Sequence, residues 1–182
     1  MALGATVYKI ELQIADMDRN YYHTHSLVVA RHPSETDERL MVRVLAFALN
    51  ATETLAFGKG LSTEDEPDLC DRDYTGRLAC WIDVGLPSER EIRKACGRAD
   101  RVKIYAYGGR SVAVWWKQNQ DALVRCRNLQ VIEIPSDASR AMAGLAQRSM
   151  RLQCTVQDGA IWLAGDATSV EIAPVSRRLP AD

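Results

Sequence analysis

Little in this sequence runs to an extreme, and each shortage narrows what the chain can be. No uninterrupted apolar run approaches the roughly 18 residues of a membrane span, and the N-terminus lacks a charged stretch followed by an apolar core, so neither an anchor nor a leader is expected. Neither sign of charge dominates. The 23 basic residues nearly balance the 24 acidic ones, which disfavours tight non-specific nucleic-acid binding over the whole surface and leaves a local basic groove as the option. Cysteine is sparse and odd in number, at Cys70, Cys80, Cys96, Cys126 and Cys154. Three of these lie in apolar or helical settings where a reduced thiol packs as a small hydrophobe, which suits a reducing cytoplasm. Internal repeats and linkers are missing too, and Lys59, set between Gly58 and Gly60, has no phosphate-loop spacing around it.

What is present is 182 residues of 47% apolar content, enough for one domain with a real core. Residues 1–165 form that expected domain, and 166–182, with Pro174, Pro180 and little periodicity, a loosely held tail. Tyr8, Ile10, Leu12 and Ile14 alternate with Lys9, Glu11 and Gln13, the pattern of a half-buried strand, and Tyr21 to Ala30 returns as its hairpin partner. His23 and His25 fall two apart on one face, a spacing that metal sites can use, but with no Glu or Cys partner at a set distance the plain strand reading is preferred. Ser34 after Pro33 reads as a helix N-cap with Asp37 at the capping-box position, for a helix to about Leu49 whose stripe is Leu40, Met41, Val44, Leu45 and Ala48. Glu38 sits at the edge of that stripe, where it either points to the core boundary or serves the helix dipole.

A strand over Thr54 to Leu61, a turn at Asp71-Arg72-Asp73, a second helix capped by Ser88 with Glu91, and a strand from Val102 to Tyr107 follow. Val112 to Trp116 reads either as a short strand or as the start of a helix to about Leu123. Leu129 to Ile134 is a strand, Ser136 caps a helix to about Met150, and Leu152 to Leu163 is a hairpin across Asp158-Gly159. These elements make a mixed α+β or α/β fold, a mixed sheet flanked by helices with hairpins near both ends. The aromatics Trp115, Trp116, Tyr105 and Tyr107 serve either as core packing or as stacking platforms for bases.

Two acidic marks stand out. Glu66-Pro67-Asp68 closes a polar run, and Asp83 lies inside Leu78-Ala79-Cys80-Trp81-Ile82-Asp83-Val84, a run of strand length that ends at Gly85. A carboxylate in a run that reads as buried on both faces costs several kcal/mol unless it is paired with a base or bound to a cation.

The strings Ala30-Arg31-His32-Pro33-Ser34-Glu35-Thr36-Asp37-Glu38-Arg39, Lys59-Gly60-Leu61-Ser62-Thr63, Glu66-Pro67-Asp68-Leu69, Trp81-Ile82-Asp83-Val84-Gly85 and Tyr107-Gly108-Gly109-Arg110 resemble the YaeQ family over nearly the whole chain. The resemblance implies a variant of the PD-(D/E)XK restriction-endonuclease-like fold. It further implies Glu38, Asp68 and Asp83 as ligands of Mg²⁺ or Mn²⁺, with metal-assisted phosphodiester hydrolysis as the expected chemistry. One departure is plain: the lysine expected two residues after Asp83 is Gly85. Lys94 on the following helix is the candidate replacement, although it lies away from that helix's apolar stripe, with Lys59, Arg98 and Lys103 behind it. Lys59, Arg98 and Arg110 are the candidates for contact with substrate. The alternative expectation is an inactive module that binds a nucleic acid or a protein, and a third is that the acids only partner Arg98 or Lys103.

Overall fold

A computed structural model describes residues 4–59 and 65–181. The chain begins with β1 (Thr6–Asp16) and β2 (Tyr21–Arg31), the expected antiparallel hairpin. Strict alternation buries Tyr8, Ile10, Leu12, Ile14 and Asp16 on one face of β1. Helix α1 (Asp37–Asn50) follows, then β3 (Leu55–Phe57), β4 (Leu69–Arg72) and β5 (Leu78–Val84). The expected end of the third strand at Leu61, and the run Ser62, Thr63 and Glu64, lie outside the described residues. Next come α2 (Glu89–Cys96), β6 (Arg101–Ala106), α3 (Arg110–Asn119), β7 (Leu129–Glu133) and α4 (Ser136–Ala143). The chain ends in β8 (Ser149–Gln157), β9 (Ala160–Ala164), β10 (Ser169–Ile172) and β11 (Val175–Arg178).

Two sheets form, not one. The first has the order β10-β9-β8-β1-β2, with the terminal hairpins joined through the parallel pair β1 and β8; the second has the order β11-β7-β6-β5-β4-β3, with β5, β6 and β7 parallel. Helix α1 fills the space between them. Residues Leu40 to Ala48 are all buried, and the core that holds them includes Leu12 and Ile14 of the first sheet, Leu69, Ile82 and Val84 of the second, and Met142 of α4. A helix buried on every side is the interior layer, which a one-stripe reading of its sequence does not reveal. Helices α2 and α3 cover the other face of the second sheet through Ile92, Ala95, Val112 and Trp115, packed on Trp81, Val102 and Ile104.

Four local expectations change, and one open reading, at Val112, is decided. Thr36, not Ser34, caps α1, its Oγ1 accepting from the Arg39 N–H at 3.1 Å, while Ser34 pairs with His32. The residues from Val112 on are helical, Val112 and Trp115 being the buried pair three apart, and the Trp115 indole N–H donates to the Pro87 carbonyl at 2.8 Å. Helix α4 ends at Gly144, so Met150 belongs to a strand in which Met150, Leu152, Cys154 and Val156 alternate inward. The segment from 166 on is not loose over its whole length: Val170 and Ile172 alternate inward in β10, and β11 pairs with β7. Strand β4 was read as a turn because Asp71 looks like turn chemistry; its carboxylate instead accepts from the hydroxyls of Thr52 and Thr54.

Charged side chains are also enclosed, Arg43 most deeply. Arg43 of α1 is 1% exposed. Its Nε and Nη2 donate to the two oxygens of Glu35 at 2.7 and 2.8 Å, and Nη2 also reaches the Ala30 carbonyl at 2.9 Å. Removing one partner leaves a buried charge uncompensated, so Glu35→Gln is expected to cost about 3–5 kcal/mol in urea unfolding. The double replacement Glu35→Leu, Arg43→Met is expected to recover most of that loss. A loss under about 1 kcal/mol for Glu35→Gln would place the pair outside the stabilising core.

Candidate functional site

The site grows from a spacing of four. Glu35, Arg39 and Arg43 repeat one helical turn apart, so their side chains stack along one line of α1 and its approach. Arg39 Nη1 donates to Glu35 Oε1 at 2.9 Å, and Nη2 lies 2.8 and 2.9 Å from the two oxygens of Asp68 and 3.3 Å from the Val84 carbonyl. The result is a ladder, Arg43, Glu35, Arg39, Asp68, that ties α1 to the edge of the second sheet. Burial alone would lower the Arg39 pKa, but Asp68 and Glu35 beside it raise it above the ordinary value.

Register brings Asp83 to the same place. Leu69 pairs with Ile82, which sets the neighbouring Asp68 beside Asp83. Asp83 Oδ1 accepts the Asp68 backbone N–H at 3.2 Å and its Oδ2 accepts the Trp81 indole N–H at 2.8 Å, while Asp68 Oδ2 accepts the Val84 N–H at 2.8 Å. The approach depends on Gly58, whose N–H donates to the Asp68 carbonyl at 2.8 Å; a Cβ there would meet the Pro67 oxygen at 2.0 Å. The cluster lies where the parallel strands β5 and β6 end, the usual position for sites on such sheets.

The residues singled out from sequence go to different places. Asp68 and Asp83 meet. Glu38 turns toward α4 and accepts the Ser139 hydroxyl at 2.6 Å. Lys94 pairs with Asp65, and Arg98 Nη1 reaches the Asp65 carbonyl at 3.4 Å. Lys59 lies 3.8 Å from Glu66, both well exposed. Arg110 opens α3 and lines a shallow recess of about 370 Å³ with Trp115. Lys103 is bound to Asn50, not to either acid. The cation beside the carboxylates is Arg39. Sequence reasoning missed it, although the Glu35, Arg39, Arg43 spacing was the available signal.

The lysine that the family resemblance leads one to expect two residues after Asp83 is absent, and Gly85 stands there. It has φ +109°, a backbone that L side chains rarely adopt, and its N–H donates to the Tyr105 carbonyl at 2.9 Å. The strand turns away at the position where a lysine would have to project. As for a metal, no three His, Cys, Asp or Glu side chains converge to hold one among the described residues, and the oxygens of Asp68 are already engaged by Arg39 and Val84. His23 and His25 sit with ring centroids 4.6 Å apart, but His25 Nε2 is taken by the Tyr21 hydroxyl at 2.8 Å and its ring meets Phe47 edge-on. The donor set therefore does not fit a divalent ion as it stands.

A mixed α+β protein with two sheets around a buried helix, and a carboxylate pair held by an arginine at the strand ends, is the class defined so far. The chain belongs to the YaeQ family, whose model, described as YaeQ protein, matches residues 1–174. It is 44% identical over 172 residues to the "Uncharacterized protein YaeQ" of Escherichia coli (strain K12), covering 94% of this chain and 95% of that one. To the protein of the same description from Salmonella typhi it is 42% identical over 181 residues, with 100% of both chains covered. The crystal structure of YaeQ protein from Xanthomonas axonopodis pv. citri superposes with TM-score 0.93 at 53% identity over 97% of this chain and 99% of that one. The YaeQ protein from Pseudomonas syringae gives 0.92 at 32% over 96% and 97%.

Asp83 is the acid of the cluster that has no cation partner among the described residues. Burial, reinforced by the neighbouring Asp68 charge, pushes its carboxyl up to about 6 against the hydrogen bonds from Trp81 and Asp68. A carboxyl raised from 3.8 in the unfolded chain holds its proton longer in the folded one, so stability from this group is full below about pH 4 and is lost as pH rises through 6. The loss is on the order of 3 kcal/mol. Asp83→Asn is expected to flatten the unfolding free energy between pH 4 and about 6 and to match or exceed the parent's stability at pH 7. Urea titrations at a series of pH values check this; an unchanged slope, or a variant weaker at every pH, would contradict it.

Proposed function

We propose that the chain is a restriction-endonuclease-like module of the PD-(D/E)XK kind, working in the cytoplasm, that binds the phosphate backbone of a nucleic acid without cutting it. In this reading Arg39 occupies the electrostatic role that a divalent ion has in a nuclease of that kind. The observation that carries it is the Arg39 guanidinium on both oxygens of Asp68. A metal ion acts by polarising phosphate and acidifying a water, whereas a guanidinium supplies charge and hydrogen bonds but no acidic water. Binding would run along α2 and the turn just past its end, where Arg90 and Lys94 lie one helical turn apart and Arg98 follows the Gly97 cap. All three act on the exposed Asp65, whose carboxyl they hold below its ordinary value, Lys94 foremost. Three cations around one acid leave a local positive edge on a chain of net charge −1.

A second reading, metal-dependent phosphodiester hydrolysis by Glu38, Asp68 and Asp83 with Mg²⁺ or Mn²⁺ and help from Lys94, is favoured by the register that sets Asp68 beside Asp83. It requires the ion to displace Arg39, Glu38 to leave Ser139, and Lys94 to leave Asp65.

Fluorescence anisotropy with labelled single- and double-stranded DNA and RNA distinguishes these readings. Binding at 50 mM salt is expected, with log K falling against log salt at a slope of roughly −2 to −3, as for three neutralised phosphates. The triple variant Arg90→Gln, Lys94→Gln, Arg98→Gln is expected to lose at least tenfold in affinity and most of that slope. With Mg²⁺ or Mn²⁺ the strands should stay intact. Cleavage that disappears in Asp83→Ala would establish the second reading instead, and no binding to any of the nucleic acids would leave a protein as the partner.

A further inference from the structure

A separate basic recess lies where β6 begins, on the face of the second sheet turned to α1. Arg101, Lys103 and Tyr105 alternate along β6 on that face, while Val102 and Ile104 pack beneath α2 and α3. Asn50, the last residue of α1, organises them. Its Nδ2 donates to the Ala46 carbonyl at 2.8 Å and to the Tyr105 hydroxyl at 2.7 Å, which turns its Oδ1 onto Lys103 Nζ at 2.6 Å. One of the three ammonium N–H groups is thereby used. Neither Lys103 nor Arg101 has a carboxylate partner among the described residues.

Of the other charges around the recess, Arg19 and Asp16 match each other, while Asp71 is held by hydroxyls and has no salt bridge among the described residues. Arg19 walls one side, with its Nε on Asp16 at 2.6 Å and its terminal nitrogens 3.0 and 3.3 Å from the Ala48 and Ala51 carbonyls at the end of α1. Asp71, the acid that faces the space, is buried and accepts from the hydroxyls of Thr52 and Thr54. Lys103 and Arg101 thus set two positive charges against the single Asp71 carboxylate, over a space of about 150 Å³. A water occupies about 30 Å³ in the liquid, so the recess suits a group of a few heavy atoms and is small for a nucleotide. Burial lowers the Lys103 pKa; Cys80 opposes this, and Arg101 and Arg19 push the same way as burial. An anion in the recess would remove the repulsion among these cations.

We propose that this recess binds a small oxyanion, a phosphate or a short carboxylate, through Lys103 Nζ and the Arg101 guanidinium, with Arg19 as its positive wall. Nothing in this depends on the nucleic-acid reading, because the recess shares no residue with the Asp68 and Asp83 cluster or with the basic edge of α2. The test is calorimetry of the full chain at pH 7 and low salt, titrated in parallel with inorganic phosphate and with malonate.

Saturable binding of at least one anion is expected, weakened at least tenfold in Lys103→Met and in Arg101→Gln and unchanged in Arg110→Gln, which lies outside the recess. A preference for phosphate or for malonate identifies which oxyanion the recess takes. Arg101 is exposed, so Arg101→Gln preserves the fold and decides the matter even where Lys103→Met unfolds. No saturable heat from either anion, or full affinity in Arg101→Gln, overturns the proposal.

Discussion

The Arg39 guanidinium, shared between Glu35 and Asp68, is the contact on which the geometry of the strand-end cluster depends. Through it the central helix is fixed to the edge of the second sheet, and through Glu35 the same network reaches Arg43 in the interior. An arginine suits this place because its planar group can face two carboxylates at once and stays charged when desolvated, which a lysine does less reliably. Without such a cation, Asp68 would sit close to Asp83 with only backbone amides and the Trp81 indole N–H to offset two like charges. The electrostatics therefore arrange themselves around a side chain of the protein, leaving Asp83 as the acid whose ionisation is sensitive near neutral pH.

The backbone supports the same arrangement. At Gly58 the chain passes so near Pro67 that no side chain is tolerated, and at Gly85 the strand leaves the sheet with a positive φ. The first positions Asp68; the second removes the site from which a lysine would reach the acids. Gly85 carries no side chain, and the cation on Asp68 is Arg39. The cation comes from the helix in the core, not from the strand.

Much of this was legible in the sequence, unevenly. The alternation of β1, the capping box of Ser88 and Glu91 and the Asp158-Gly159 turn are local signals, and local signals survive folding. The separation into two sheets was not legible, because pairing between β1 and β8 joins residues some 140 apart and nothing local marks it. Asp68 and Asp83 were found because each breaks a pattern, proline on one side and an apolar run on the other. Arg39 was passed over because a charged residue in a helix reads as solvated by default. Glu38 enters through the family resemblance, its helical wheel leaving its direction open; with α1 enclosed on all sides, that wheel cannot say which neighbour Glu38 meets. Lys94 was correctly read as lying off the apolar stripe, and Asp65 holds it there.

The second sheet thus carries two polar regions of opposite character, an acid pair near the ends of β5 and β6 in which Arg39 holds Asp68, and a cationic recess where β6 begins. The first is the centre of the account, and the claim at its heart is that Arg39 takes the place of a metal ion. Titration of Mn²⁺ into the parent chain at pH 7, followed by calorimetry and by the paramagnetic broadening of nuclear resonances near Asp83, tests it most directly. The account predicts no saturable binding at micromolar Mn²⁺ and no broadening confined to the cluster; micromolar binding that vanishes in Asp68→Asn and Asp83→Asn would contradict it.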